Sequence, residues 1–599
     1  MRLRKRFLTV VMVISTPLLT AAFSQAADQY AVTYSRNVAV IMRDGTKLRA
    51  DIYRPTADGK FPVLLQRTPY NKDNDVDFGF KAAAQGYVVV VQDVRGRYAS
   101  EGDWYTFKNE PNDGYDTIEW AAALPYSNGK VGMFGGSYVG ATQMLAAITH
   151  PPHLAGICPI VTASNYHENW TYQGGAFEQW FDEDWTSGLA QNTYERLTGQ
   201  QNDPVGGIWK LPLTDYPILN LEKRPELASN ESVAPYFLDW LAHPTYDDYW
   251  KAISIEEHYP DIKVPALHVA AWYDLFQGGS LRNYEGIKAH GGIEDARRGQ
   301  HLLIVVGGHA GNGPKIGDVD FGPASRIDED EITLHWYDYL FKGAQNEFSG
   351  KPVKIFVMGT NQWRDESEWP LARAKSTKYF LHSGGKANSL HGNGTLSTAA
   401  PARETADQYV YDPGNPAPTV GGPLCCEPKR WEPGARDQRS VEAREDVLVY
   451  STPPMAEDLE VTGPVSLELY VNSSTVNTDF TGKLVDVWPD GFAQNLTEGI
   501  LRAAYRDSRE SATLMNPGQV YKLTIDLWAT SNVFKKGHIL RLEVSSSNFP
   551  RFDRNLNNGE LRYVKTNQGI AEQFVSAHNA ILHDTGHPSA LILPVVPPN

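Results

Sequence analysis

The residues best suited to chemistry lie where a short apolar run meets two glycines and a serine. Residues 135–140 read Gly-Gly-Ser-Tyr-Val-Gly, and helix-forming residues continue to 148. This order predicts a strand, a tight turn and a helix, with Ser137 at the apex. A serine hydroxyl is a poor nucleophile unless it is exposed, fixed and beside a base, and small neighbours allow a strained apex. Because a serine between glycines is more often only a structural turn, its partners decide the interpretation.

Two later strand ends supply those partners. A serine nucleophile needs an imidazole to take its proton and a carboxylate to hold the imidazole's tautomer. Asp274 follows the apolar residues 264–271, and His309 follows the apolar residues 302–306. Either residue alone is typical of an ordinary loop or turn, but the order serine, acid, histidine is that of a large class of serine hydrolases. We therefore predict a catalytic triad of Ser137, Asp274 and His309.

Two oxyanion donors are predicted beside the triad. The developing negative charge needs two hydrogen-bond donors, and the backbone N–H of Tyr138 directly follows the nucleophile. The phenol of Tyr70 is the second candidate because it stands just past a predicted strand end. The alternative is that the Tyr70 ring only packs against its surroundings. His301 is a rival base, but it lies at the opposite end of its predicted strand.

Alternating strands and helices predict the scaffold for these residues. A hairpin is expected at residues 38–53, with its turn at Asp44-Gly45. Helices are expected at residues 113–123 and 331–342, where the acidic residues 328–331 are interpreted as a helix start rather than a metal site. Buried strands are expected at residues 61–66, 86–91, 157–162, 264–271 and 302–306. Such strands form a parallel sheet covered on both faces, with its active site at their carboxyl ends.

The residue composition and the hydrophobic pattern change at two points along the chain, and these changes predict its domains. Residues 28–165 and 258–373 form the expected α/β domain, with residues 353–358 beginning the bridge out of it. The aromatic-rich residues 166–257 show no strand period, so we expect an inserted helical cap; a separate domain unrelated to the site is the alternative. Residues 374–599 are a series of short strands with turns, typical of an all-β sandwich or jelly roll.

The first residues predict export. Residues 1–27 combine a basic start, an apolar core and small residues before a cleavage point near 26 or 27. A membrane anchor is the alternative, but the apolar run falls short of about 20 residues. We expect a periplasmic or secreted protein. The formal net charge of −16 disfavours nucleic acid or an anionic membrane surface as partner.

Cysteine usage leaves one question open. The chain of 599 residues has 3 cysteines, too few for a disulfide framework. Cys158 lies in an apolar run and is expected in the core. The adjacent Cys425 and Cys426 form either a vicinal disulfide or two thiols, and the sequence does not decide between them.

Several motifs together resemble one family. They are residues 135–140, Arg67-Thr68-Pro69-Tyr70, residues 93–97 with 100–102, Trp272-Tyr273-Asp274, residues 320–322 and residues 484–491. The set is similar to the cocaine-esterase and X-Pro dipeptidyl-peptidase family of serine hydrolases. The resemblance implies an α/β-hydrolase core with a helical cap and a jelly-roll domain. It also implies an acyl-enzyme on an ester or amide, no cofactor, and the same triad and oxyanion donors.

Departures from the family pattern narrow the expected substrate. The related α-amino-acid ester hydrolases carry a carboxylate pair shortly after the catalytic acid, where this chain has Phe276 and Gln277. Without that pair, a substrate ammonium loses its main electrostatic partner; Glu168 and Asp182 are weaker substitutes. The segment before His309 also differs, because this chain has Gly307-Gly308 where the family often has Gly-Pro-Trp.

We therefore predict an exported serine hydrolase that cleaves a small carboxylic ester or amide. An acylase, an α-amino-acid ester hydrolase or an X-Pro dipeptidyl-peptidase on the same triad is the alternative. A catalytically silent protein that binds glycan or peptide through its β domain is the rival from another class. The oligomeric state, including a homo-oligomer, stays open.

Overall fold

The computed structural model of the protein describes residues 29–198, 213, 233–309, 311–426, 432–561 and 573–598. The predicted export segment, residues 1–27, lies outside them, as do residues 199–212 and 214–232 of the predicted cap. None of the described helices is both long and apolar enough to cross a membrane.

A mixed ten-stranded sheet organises the first part of the described chain. Its order is β1-β2-β4-β3-β5-β6-β9-β10-β13-β14, and the pairs from β4 to β13 are parallel. The predicted parallel sheet and its opening hairpin are confirmed. Strands β7-β8 and β11-β12 form two separate two-stranded sheets. In chain order, the strands from β1 to β14 are β1 Val32–Ile41, β2 Lys47–Pro55, β3 Phe61–Thr68, β4 Val88–Asp93, β5 Ser127–Gly136, β6 Leu154–Ile160, β7 Tyr172–Gln173, β8 Ala176–Phe177, β9 Ala266–Tyr273, β10 Gln300–Gly308, β11 Lys315–Ile316, β12 Val319–Asp320, β13 Val353–Val357 and β14 Gln362–Glu366.

Helices cover both faces of this sheet. Leu64 packs in one core with Phe78 and Trp336, whereas Leu65 packs in the other with Ile118 and Met144. Successive strand residues point to opposite faces, so both faces must be apolar. The helices are α1 Val76–Ala84, α2 Glu110–Ala122, α3 Tyr138–Ala147, α4 Gln179–Thr198, α5 Pro235–Ala242, α6 Asp248–Lys251, α7 Gln277–His290, α8 Glu294–Arg298, α9 Glu329–Lys342 and α10 Arg439–Glu442.

The predicted bridge at residues 353–358 is wrong. Strand β13 instead pairs in parallel with β10, and β14 closes the sheet beside it. Val353 and Ile355 are fully buried and belong to a core shared with the β-rich second domain. The run looks like a connection because it is short, but burial of its apolar residues against that domain holds it as a strand.

Between β6 and β9, the described chain is mainly helical and aromatic. Helices α4, α5 and α6 lie here, as expected for a cap, and their apolar residues join one core with those of the sheet. The small hairpin of β7 and β8 is a feature that the sequence reasoning missed, because strands of two residues leave no period to read.

A β-rich second domain follows. Its eleven-stranded sheet arrangement has the order β17-β24-β19-β25-β15-β16-β18-β23-β20-β21, with β22 beside β19. The predicted β-rich domain is confirmed, whereas its jelly-roll arrangement and the exact domain boundaries remain predictions. The strands are β15 Lys375–His382, β16 Gly394–Ser397, β17 Asp407–Tyr411, β18 Leu448–Ser451, β19 Leu459–Ser473, β20 Asp479–Val487, β21 Ala493–Arg502, β22 Tyr521–Phe534, β23 Ile539–Ser545, β24 Ala577–Leu582 and β25 Ala590–Val596.

A buried histidine makes the stability of this domain depend on pH. His583 Nε2 lies 2.9 Å from Asp407 Oδ2, and its Nδ1 lies 3.1 Å from Glu404 Oε2. Burial opposes the charged imidazole, but the two carboxylates outweigh it and raise the pKa of His583. The other side chains at the cluster are His382, which bonds Glu404, and Ser383 and Tyr450, which bond Asp407.

We expect the free energy of unfolding to fall as pH rises through this raised pKa. The stabilisation is complete below the unfolded-state pKa of about 6.5. Each pKa unit by which the folded-state value of His583 exceeds the unfolded-state value contributes about 1.4 kcal/mol to the free energy of unfolding. In His583→Gln the fall above neutral pH is expected to be smaller, as measured by urea unfolding at a series of pH values. Equal pH dependence in the two proteins would contradict the prediction.

Candidate active site

The turn that carries Ser137 has a strained backbone held from several sides. Ser137 joins β5 to α3 with φ 60° and ψ −129°. Its N–H donates to the Ile160 carbonyl at 2.9 Å, and its own carbonyl accepts from Thr162 Oγ1 at 2.9 Å. A non-glycine residue at positive φ is uncommon and costs free energy. Its surroundings therefore impose this conformation, which presents the hydroxyl at the end of the strand.

The glycines around the serine have separate steric reasons. Gly135 has φ +121°, and a Cβ there would lie 2.4 Å from the Val139 side chain. A Cβ on Gly140 would lie 2.8 Å from Thr162 Cβ, just beyond β6. Gly140, one position later than in the common G-x-S-x-G turn, thus lets α3 approach the segment after β6.

The three side chains predicted as a triad form one hydrogen-bonded chain. His309 Nε2 lies 2.8 Å from Ser137 Oγ, and His309 Nδ1 lies 2.6 Å from Asp274 Oδ1. The second oxygen of Asp274 accepts from the Phe276 N–H at 2.8 Å, and the carboxylate is fully buried. The residues meet because β5, β9 and β10 run in parallel and end at the same edge of the sheet.

The Tyr70 phenol lies at the same edge. Its oxygen accepts a hydrogen bond from Trp185 Nε1 at 3.0 Å. Burial raises the pKa of Tyr70, so the phenol stays protonated at neutral pH. The hydrogen bond from Trp185 and the neighbouring Ser137 and Tyr138 oppose that rise in pKa. Tyr70 lines the same cavity as Ser137.

Tyr138 contributes its backbone to the site and its ring to the core. Its phenol accepts from the Phe107 N–H at 2.7 Å and donates to Glu110 Oε1 at 3.1 Å. Glu110 is paired at 2.6 Å with the buried Arg67 guanidinium. The Tyr138 N–H is at the N-terminus of α3, where unpaired amides and the helix dipole favour negative charge.

Arg97 joins the sheet to the cap at this point. Its guanidinium donates to the Pro69 carbonyl at 2.9 Å and to the Leu189 carbonyl of α4 at 2.8 Å. It therefore fixes the segment just before Tyr70 relative to the helix that carries Trp185. In the sequence, Arg97 stands out only as part of the motif at residues 93–97, and no local pattern points to Trp185.

A cavity of about 480 Å³ opens over Ser137 and His309. Sheet, cap and second domain all contribute to its wall, and the second domain does so through a disulfide between Cys425 and Cys426. The remaining lining residues are Tyr70, Arg97, Tyr98, Asp184, Trp185, Gly188 and Leu189. The disulfide answers the question that the sequence left open.

The two positions after the catalytic acid, where amine binding is expected to need carboxylates, hold the buried residues Phe276 and Gln277, and neither is among the residues that line the cavity. The ring of Phe276 lies edge-on to His309 at 5.1 Å and stacks on Trp170 at 4.4 Å. Gln277 donates to the Trp272 carbonyl and accepts from the Ala529 N–H of the second domain, each at 3.0 Å. Both side chains are thus engaged in packing and domain contact.

The weaker acidic substitutes do not line the cavity. Glu168 pairs with Arg509 at 3.3 Å and also accepts from the Gly174 N–H. Asp182 is fully buried, and burial raises its pKa well above the usual range. The rival base His301 lies at the start of β10, away from Ser137. Its Nε2 is 3.1 Å from the Phe348 carbonyl, to which it is hydrogen-bonded.

Known proteins are similar to this chain over nearly its whole length. The sequence model of the family X-Pro dipeptidyl-peptidase (S15 family) matches residues 44–311. The sequence model of the X-Pro dipeptidyl-peptidase C-terminal non-catalytic domain matches residues 346–592. Cocaine esterase from Rhodococcus sp. (strain MB1 Bresler) is 38% identical over 586 residues, covering 94% of this chain and 98% of that protein.

Solved structures show the same fold. An aminopeptidase from the marine sediment archaeon Thaumarchaeota archaeon aligns with TM-score 0.79 and 24% identity over 97% of this chain and 99% of its own. An α-amino acid ester hydrolase aligns with TM-score 0.78 and 24% identity over 98% and 100%. The predicted fold class, an α/β-hydrolase core with a cap and a β-rich second domain, is thereby confirmed.

Proposed function

This chain belongs to the X-Pro dipeptidyl-peptidase (S15) family of serine hydrolases, and on that premise we propose that it cleaves carboxylic esters through an acyl-enzyme on Ser137. The observation that carries the proposal is the position of His309, which lies 2.8 Å from the Ser137 hydroxyl and 2.6 Å from the Asp274 carboxylate. The identity of 38% to cocaine esterase favours an ester over an amide.

In the first half of the proposed cycle, Ser137 Oγ attacks the acyl carbon while His309 Nε2 takes the hydroxyl proton. The Tyr138 N–H and the Tyr70 phenol donate to the oxyanion of the tetrahedral intermediate. The imidazolium then gives its proton to the departing alkoxide, and the alcohol leaves. In the second half, His309 takes a proton from water, the hydroxide attacks the acyl-enzyme, and Ser137 recovers its proton as the acid departs.

The absence of an acidic pair directly after Asp274 argues for a neutral acyl group rather than a free α-amine. Phe276 and Gln277 provide no carboxylate there, and Glu168 is already paired with Arg509. The carboxylate among the cavity-lining residues is Asp184, which lies on α4 rather than beside the catalytic acid. An aminopeptidase or an α-amino-acid ester hydrolase on the same three residues is the second candidate, since relatives with those activities share the fold.

The test is a substrate panel on purified protein lacking residues 1–27. We expect labelling of Ser137 by a fluorophosphonate, located by peptide mass spectrometry, and turnover of 4-nitrophenyl acetate and butyrate. Little turnover is expected for an X-Pro anilide or an α-amino-acid ester. Turnover of the amine-bearing substrates alone would favour the second candidate, and an unlabelled Ser137 with no turnover would refute both.

Removing the Tyr70 hydroxyl tests the oxyanion assignment. Tyr70→Phe is expected to lower kcat for 4-nitrophenyl acetate by about 10²-fold with little change in KM, because the lost hydrogen bond forms in the transition state. Trp185→Phe removes the indole N–H that positions the phenol, together with part of a ring that lines the cavity, but leaves the phenol in place, so its effect on kcat is expected to be smaller. If Tyr70→Phe keeps the wild-type kcat, the phenol is no oxyanion donor.

We also propose that residues 1–27 direct export to the periplasm or the medium. Their basic start and apolar core support this. Expression of the full chain in a Gram-negative host should give a periplasmic or secreted protein whose N-terminus, determined by mass spectrometry, begins near residue 27 or 28. Unprocessed protein confined to the cytoplasm would contradict the proposal.

A further inference from the structure

An unusual element stands in the wall of the cavity over Ser137. Cys425 and Cys426 are neighbours in the chain and are joined by a disulfide, with their Cα atoms 3.7 Å apart. Both residues line the same cavity as Ser137 and His309, although the chain positions differ by more than a hundred residues. The second domain thus contributes a disulfide-bonded pair of residues to the wall of the cavity in which the proposed ester substrate binds.

The first cysteine is fixed. The carbonyl of Cys425 accepts a hydrogen bond from Trp180 Nε1 of α4 at 3.0 Å. The side chain is 4% exposed and belongs to the core shared by the sheet and the cap. The turn therefore cannot shift as a whole without losing contacts with the cap.

The second cysteine is exposed and conformationally unusual. Cys426 has φ +88°, a backbone conformation that residues with a side chain rarely adopt. The bond to the anchored Cys425 restrains its sulfur and so helps to keep the turn in this shape. If the bond is broken, Cys426 is free to relax toward negative φ, and its side chain then turns to a new direction.

We propose that the Cys425–Cys426 disulfide is a specificity-determining wall that contacts the larger apolar substituent of the ester. Disulfide sulfur is apolar and polarisable, so it packs well against aromatic or aliphatic groups. An acetyl ester of a small alcohol is too short to need this contact, whereas a bulky ester depends on it. This inference rests on the proposed function, since it concerns substrates of the Ser137 site.

The same wall responds to reduction. A dithiol reductant transfers two electrons and two protons: the bond between the two cysteine sulfurs breaks, two thiols form, and the reductant closes to its own cyclic disulfide. The loss of the bond leaves Ser137, His309 and Asp274 untouched. Reduction is therefore expected to alter preference among esters rather than to stop catalysis.

A thiol count tests whether the bond forms. The chain has 3 cysteines, of which Cys158 is free and buried. Air-oxidised protein, denatured and titrated with a thiol reagent, should show one thiol, and the reduced protein should show three. Peptide mapping should find 425 and 426 linked. Three thiols before reduction would overturn the proposal.

Kinetics tests the role of the bond. The measured quantity is the ratio of kcat/KM for a bulky ester to that for a small one, in one series that varies the acyl group (4-nitrophenyl benzoate against acetate) and one that varies the alcohol (benzyl against methyl acetate). In at least one series, dithiothreitol should lower the wild-type ratio by about fivefold, the effect of losing roughly 40 Å² of apolar contact. Turnover of the small ester should stay within about twofold, because it makes no such contact.

Two variants make the result specific. Cys425→Ser/Cys426→Ser should have the low ratio from the start and show no response to dithiothreitol. Cys158→Ala should keep the wild-type ratio and the wild-type response. An unchanged ratio in both series, or an equal response in the double variant, would overturn the inference. Absence of all ester turnover would instead count against the proposed function.

Discussion

Ser137→Ala is expected to lower kcat/KM for 4-nitrophenyl acetate by about 10⁴-fold or more, the range found when a triad member is removed. The hydroxyl is the group lost, and in the proposed mechanism it supplies both the attacking oxygen and the proton that His309 takes. The oxyanion donors remain, so a small residual acceleration over water is expected. Labelling by a fluorophosphonate should disappear at the same time.

The fold should survive this change. The hydrogen bonds that hold the turn use the backbone N–H and carbonyl of Ser137, and both remain in alanine. The thermal midpoint and circular dichroism spectrum are therefore expected to match those of the wild type. Ser127→Ala, at the opposite end of β5, is the matched control and should keep full turnover. Wild-type activity in Ser137→Ala would remove the basis of the proposed mechanism.

The residues at the edge of the sheet could be predicted because each follows a strand that is easy to recognise. Ser137, Asp274 and His309 each follow a buried apolar run, and parallel strands bring such positions together whatever their distance in the chain. The hydrogen bonds of 2.8 and 2.6 Å at His309 agree with that expectation. No knowledge of loop packing was needed.

The rest of the site depends on contacts that no local pattern encodes. Trp185 reaches Tyr70, 115 positions away in the chain, only because α4 folds back over the sheet. Cys425 reaches the cavity only because the second domain packs against that helix. Strand β13 was missed for a related reason, since the partner that buries Val353 and Ile355 lies in the second domain.

The structure explains what Phe276 and Gln277 do at the two positions that depart from the family pattern. Gln277 bridges the sheet and the second domain, with one hydrogen bond to the Trp272 carbonyl and one from the Ala529 N–H. Phe276 meanwhile packs on the imidazole of His309. The two positions at which the resemblance implies carboxylates in α-amino-acid ester hydrolases are, in this chain, used for packing against His309 and for a domain contact, which supports the proposed neutral substrate.

Asp274→Asn is expected to lower kcat by about 10⁴-fold, with little change in KM. Asp274 accepts two hydrogen bonds, one at His309 Nδ1 and one from the Phe276 N–H. An amide has only one acceptor oxygen. If that oxygen stays with the Phe276 N–H, the amide NH₂ faces Nδ1 and favours the tautomer protonated at Nε2. That nitrogen then cannot accept the Ser137 proton, although the substrate still binds.

The measurement is kcat and KM for 4-nitrophenyl acetate across pH, together with the rate of fluorophosphonate labelling. Asp184→Asn removes a carboxylate from the cavity wall without touching the triad, and is expected to keep kcat within about tenfold because it changes neither the base nor its tautomer. A loss of similar size in both variants would mean that cavity charge, rather than orientation of His309, governs the rate. A large loss in Asp274→Asn alone is the result expected if the buried carboxylate holds the imidazole ready for the serine proton.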